Sequence, residues 1–189
     1  MREAVDGIRE AQESGQVVRI LRHHLDDDGA EVTGIVTAHS ETLAVIRTVD
    51  GSLQLDGLSV IFVADVTEIE FEYRLDFHQV LAEVSEWRPV KGAAIALENV
   101  RAMLESVNTS FSLMGVHCEM SDVYAFEVGR IQMITDESLV IRRIDRWGEL
   151  MPPSPAWRFD EITRVSFGSV YLQNLWSVAM HLGSFDAKQ

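Results

Sequence analysis

The chain has one cysteine, Cys118, among 189 residues. One thiol excludes an intrachain disulfide and fits a reducing compartment. Proline is scarce, with four residues, and three of them fall in Pro152-Pro153-Ser154-Pro155. No apolar run approaches the roughly 18 residues that a membrane-spanning helix needs. The N-terminus, Met1-Arg2-Glu3-Ala4-Val5-Asp6, lacks the apolar centre of a signal peptide. These absences predict a soluble, cytoplasmic protein with no membrane partner. The sequence also carries no phosphate-cradling glycine loop, no nucleophile elbow and no His-rich zinc motif. No catalytic residues are assigned, and a non-enzymatic role without a cofactor is expected.

Positive charge is short as well. Sixteen Lys and Arg face thirty Asp and Glu, a net charge of −14. Residues 1–90 carry 18 acidic and 7 basic side chains, a balance of −11. Residues 91–189 carry 12 and 9, a balance of −3. Such a surface repels phosphate backbones, which argues against nucleic acid as a partner. It favours solubility or a partner of opposite charge.

What is present is alternation and its recurrence. A helix is predicted over Arg2 to Glu13, with Ala4, Val5, Ile8 and Ala11 on one face and Gly15 as its stop. Strands are read at 16–24, 31–38, 42–49, 58–63 and 66–73, with turns at Asp26-Asp27-Asp28-Gly29 and Asp50-Gly51. Asp76 opens a helix through Val80, Leu81 and Val84. The second half reads as a helix over 93–107, strands at 110–117, 124–133, 138–144, 157–160 and 162–167, and a closing helix over 170–182.

The stretch Val66-Thr67-Glu68-Ile69-Glu70-Phe71 returns as Ile162-Thr163-Arg164-Val165-Ser166-Phe167, an offset of 96. Gly34 and Gly129, Ile46-Arg47 and Ile141-Arg142, and Asp50 and Asp145 recur at an offset of 95. A near-constant offset argues for an internal duplication. The predicted organisation is a helix–strands–helix repeat over 1–87, a linker over 88–92 and a second repeat over 93–189.

Each half resembles the Sm-like fold, a small SH3-like barrel. The resemblance rests on Gly129, Ile131, Met133, Asp136, Leu139 and Val140 in one half, and on Gly34, Val36, Ser40, Leu43 and Ala44 in the other. It covers residues 16–73 and 110–167. Tyr171-Leu172-Gln173-Asn174-Leu175 is similar to the helix that ends single-copy bacterial relatives of the type. The resemblance implies a mainly β protein with flanking helices, in which two five-stranded barrels stand in tandem. The family's RNA-binding residues are missing. Ala44 and Val140 stand where a base-reading Asn is required, and Ala64-Asp65 and Phe159-Asp160 stand where an Arg-Gly pair belongs. An apolar side chain cannot hydrogen-bond a base edge.

Three clusters invite chemistry. His23, His24 and Asp26 offer metal-type ligands. On a continuing strand, however, His23 and His24 point to opposite faces, and Asp26, Asp27 and Asp28 before Gly29 read as a solvated turn. His117-Cys118 is split by the same alternation, so Cys118 reads as a small core residue. Asp65, Glu68, Glu70 and Glu72 read as the wet face of a half-buried strand. Trp147 and Trp157 flank the proline loop, where exposed aromatics serve as anchors.

The function expected is a non-catalytic acidic module that binds a protein with a basic surface, in the manner of an immunity or antitoxin protein. Asp26, Asp27, Asp28, Glu31, Trp147 and Trp157 are the expected partner-binding residues. Homodimerisation is a further expectation. The alternatives are an Sm-like RNA-binding protein and a metal- or small-molecule-binding regulator.

Overall fold

The computed structural model describes residues 2–25, 31–49, 54–71, 76–77, 94–120 and 126–185. The chain divides into two compact units, Met1–Leu97 and Glu98–Gln189. The predicted linker over 88–92, the Asp26–Asp28 and Asp50-Gly51 turns and the helix through Val80 lie outside the described residues.

In the first unit, α1 (Arg2–Ser14) precedes β1 (Val17–Leu21), β2 (Glu31–His39), β3 (Leu43–Val49), β4 (Leu55–Phe62) and β5 (Glu68–Glu70). A single 3-10 turn, Val63–Asp65, joins β4 to β5. The strands run in the order β5-β1-β2-β3-β4, each antiparallel to its neighbour. The predicted stripe of α1 is its inward face. Ile8 and Ala11 are fully buried, and Ala4 and Val5 pack against the same core as Val18, Ile20, Val36, Ile46 and Ile61. Gly15 ends the helix at a φ of 62°.

The second unit contains α2 (Val100–Ser110), β6 (Met114–His117), β7 (Phe126–Ile134), β8 (Ser138–Arg143), β9 (Trp157–Arg158), β10 (Arg164–Phe167) and α3 (Val170–His181). Its order is β10-β6-β7-β8-β9, again antiparallel. α2 starts seven residues later than expected, because the Asn99 side chain accepts the Ala102 N–H and caps it there. Ser169 caps α3 through the Leu172 N–H. The α3 stripe Leu172, Leu175 and Ala179 packs on Leu113, Val128, Ile144 and Phe185.

The ten strands among the described residues lie in open antiparallel sheet, and they do not close into a barrel. This corrects the Sm-like resemblance and the expectation of two closed five-stranded SH3-like barrels. Closure needs tilt, stagger and end strands long enough to pair. Here β5 has three residues and β9 has two, and in neither unit do the two end strands pair with each other. Alternation reports which face of a strand is buried and is silent on whether a sheet's ends meet.

The strand order recurs between the units, with the last strand beside the first and the others following in sequence, and so do local details. A bulge falls between Val36 and Ala38 in β2 and between Ile131 and Met133 in β7. The hairpin after each bulge is tied by one hydroxyl. Ser40 Oγ accepts the Leu43 N–H at 3.1 Å, and Thr135 Oγ1 accepts the Ser138 N–H at 3.0 Å.

Candidate functional site

The repeated threonine does the same work in both units. Thr67 Oγ1 donates to the Leu21 carbonyl at 2.9 Å and accepts the His23 N–H at 3.1 Å. Thr163 Oγ1 donates to the His117 carbonyl at 3.1 Å and accepts the Glu119 N–H at 3.4 Å. Each threonine thus stitches the last strand of its unit to the end of the first. The pair that flanks it has opposite polarity in the two units. His23 Nε2 lies 3.5 Å from Glu68, whereas Glu119 accepts from Arg164 at 3.2 Å.

In the second unit this joint grows into a polar cluster. Glu119, with its side chain 7% exposed, also lies 2.5 Å from Thr163 Oγ1, so the one hydroxyl proton is shared between this carboxylate and the His117 carbonyl. Arg164 donates to His117 Nδ1 at 3.1 Å, and His117 Nε2 lies 3.2 Å from Ser166 Oγ. Phe126 stacks on His117 at 4.4 Å between ring centres. Gly115 makes room for this, because a Cβ there would lie 2.5 Å from Phe126 and 2.7 Å from Ser166 Oγ.

Serine, histidine and glutamate in this order suggest a nucleophile and its base. A guanidinium only donates, so a neutral His117 that accepts from Arg164 at Nδ1 carries its proton on Nε2, facing Ser166. In that tautomer Nε2 has no lone pair for the serine proton. The Glu119 carboxylate lies 3.6 Å from the same Nδ1, and Ser166 Oγ donates to the Gly115 carbonyl at 3.4 Å. The cluster links β10 to β6 through side chains.

Cys118, next to it, is fully buried. Burial, reinforced by the Glu161, Glu127 and Glu119 carboxylates, pushes its thiol up to about 12. Only the thiolate is nucleophilic. A disulfide reagent such as DTNB should therefore label less than a few per cent of native Cys118 at pH 8 in an hour, and all of it in guanidinium. Rapid native labelling would contradict the burial.

The metal candidates separate. His23 faces Glu68, and His24 lies 3.4 Å from Asp65. Asp26 lies outside the described residues. Among the described residues no three His, Cys, Asp or Glu side chains gather as a metal site would require. Of the expected partner-binding acids, Asp26, Asp27 and Asp28 also lie outside the description. Glu31 sits on β2 and is engaged within its own sheet: Arg19 reaches it at 2.7 Å, and Thr33 donates to it at 3.0 Å. The Arg19 hydrogen bond holds the Glu31 carboxyl below its usual range.

Trp147 and Trp157 both lie in the second unit. Trp147 is 61% exposed, with the Arg146 guanidinium 4.2 Å from its ring centre. Trp157 lines a groove of about 450 Å³ with Phe126, Met151 and Tyr171, above the Arg143–Glu127 ion pair at 2.8 Å. The proline loop beside it is tied down. Ser154 Oγ accepts the Ile141 N–H at 2.8 Å and donates to the Pro155 carbonyl at 2.7 Å.

A larger groove, about 830 Å³, lies in the first unit between α1 and β5. Glu3, Asp6, Glu10 and Glu68 line it together with the apolar Ala4, Val66, Ile69 and Phe71. Gly7 lets the helix come close to the strand, since a Cβ there would sit 3.0 Å from Ile69 Cδ1. Sequence reading missed this groove. Its acids are spread over residues 3 to 68, and only the packing of α1 on β5 gathers them.

No protein-family model, curated protein or solved structure matches this chain.

Proposed function

We propose that this chain is a non-catalytic, acidic module that binds a protein with a basic surface in the cytoplasm. The carrying observation is how the first unit sorts its charges. Seven of its described carboxylate side chains are exposed, among them Glu3, Glu10, Glu41 and Glu68, whereas only Arg2 and Arg9 are exposed among its described arginines. Arg22 is fully buried, and Arg19 is held between Glu31 and Glu70. Among the described residues of this unit, exposed carboxylates therefore outnumber exposed arginines seven to two. A field of this kind steers cationic partners and repels anionic ones. The exposed Trp147, Met151 and Tyr171 of the second unit supply apolar surface of the sort that interfaces use.

The test is affinity capture on the full chain, followed by reconstitution with the purified captured protein. A basic protein is expected, with a Kd that weakens about tenfold between about 50 and about 300 mM NaCl. An acidic partner, or an affinity indifferent to salt, would overturn the proposal.

A further inference from the structure

The groove between α1 and β5 can be taken further. Its rim is acidic and its floor is not. Ala4, Ile69 and Phe71 are half-buried and pack against the core of the first unit, so they present apolar surface at the base of the groove. Above them, Asp6 is already paired with Arg9. Among the described residues Glu3 and Glu10 are exposed and have no ion-pair partner, and Glu68 is paired with an exposed His23. Arg2 is the one cation lining the groove among the described residues. An apolar floor under unanswered carboxylates suits a ligand that carries both features in register.

We propose that this groove seats a cationic, amphipathic segment of the partner. Its Lys and Arg side chains would lie against Glu3, Glu10 and Glu68, and its apolar side chains on Ile69 and Phe71. Opposite charge favours encounter over a long range, whereas seating of apolar side chains depends on their spacing along the segment. The inference rests on the basic-partner reading above and adds the surface and the pattern recognised.

The probe is a fluorescein-labelled peptide of about 18 residues, Lys and Leu only, with leucines at i, i+3, i+4 and i+7 to form one helical face. A scrambled peptide of the same composition is the control, and binding is read by fluorescence anisotropy on the full chain. The patterned peptide is expected to bind about tenfold more tightly than the scrambled one. E3Q/E10Q/E68Q should weaken it about tenfold, while E13Q/E41Q, exposed acids outside the groove, should change it less than about twofold. Amide shifts in the HSQC spectrum should concentrate on Thr67 to Phe71. Equal binding of the two peptides, or equal losses in the two variants, would overturn the groove inference and leave the basic-partner reading intact. Absence of peptide binding alongside a captured basic partner would do the same. If neither the peptides nor any basic protein bind, both fall.

Discussion

Alanine at Gly34 is expected to destabilise the first unit by about 3 kcal/mol, and alanine at Gly129 the second by a similar amount. At both sites an added Cβ falls inside contact distance of a backbone carbonyl, that of Arg47 for Gly34 and of Arg142 for Gly129. It would also lie 2.8 Å from Ile46 Cγ2 in the first case and 2.7 Å from Ile141 Cγ2 in the second. Neither obstacle is the free end of a flexible side chain. The carbonyl belongs to the neighbouring strand, so relief requires β2 to leave β3, or β7 to leave β8. Glycine at a close approach of backbones is the known use of glycine within strands. Chemical denaturation and amide hydrogen exchange on the full chain would check this. Protection should fall in β1–β3 for Gly34→Ala and in β6–β8 for Gly129→Ala. Gly15→Ala is the contrast. Gly15 has a φ of 62° and open space around it, so the cost is conformational only, about 1 kcal/mol. Equal effects at Gly15 and Gly34 would refute the steric account.

Removing the Glu119 side chain should cost about 3 kcal/mol in the second unit. Glu119 is the acceptor at the centre of the polar cluster. Thr163 Oγ1 and Arg164 both donate to it, and its side chain and that of Arg164 are 7% and 19% exposed. Glu119→Ala would leave a largely buried guanidinium without that acceptor, and desolvated charge is what makes such losses large. Removing the carboxylate of the corresponding pair in the first unit, by Glu68→Ala, should cost under about 1 kcal/mol. Its partner His23 is 61% exposed and Glu68 itself 55%, so water replaces what is lost. Denaturant midpoints of the two variants, compared at constant slope, would measure the difference. Near-equal midpoints would mean that the second cluster contributes no more than a surface pair.

These two experiments bear on how far the sequence could be read. The face of α1, the strand positions and the offset between Gly34 and Gly129 were all visible, because period and spacing follow from local backbone geometry. The repeated Thr67 and Thr163 were visible as letters. Their role was not, since a hydroxyl that donates to the carbonyl of another strand is a relation between residues 46 positions apart. Cys118 is buried, as a small core residue would be. The contact between Arg164 and His117 was not legible, since it joins residues 47 positions apart.

By itself, the sequence determined composition, charge asymmetry and the alternation of buried and exposed positions, which are properties of neighbours along the chain. Tertiary structure alone decided that the strands form open sheet and not closed barrels. It also decided that Glu31 is paired with Arg19, and that Glu3, Glu10 and Glu68 line one groove with Ile69 and Phe71. The physical reason is the same in each case. Closure, ion pairing and groove formation depend on which strand ends and side chains come within a few ångströms of each other, and that distance is set by packing between elements.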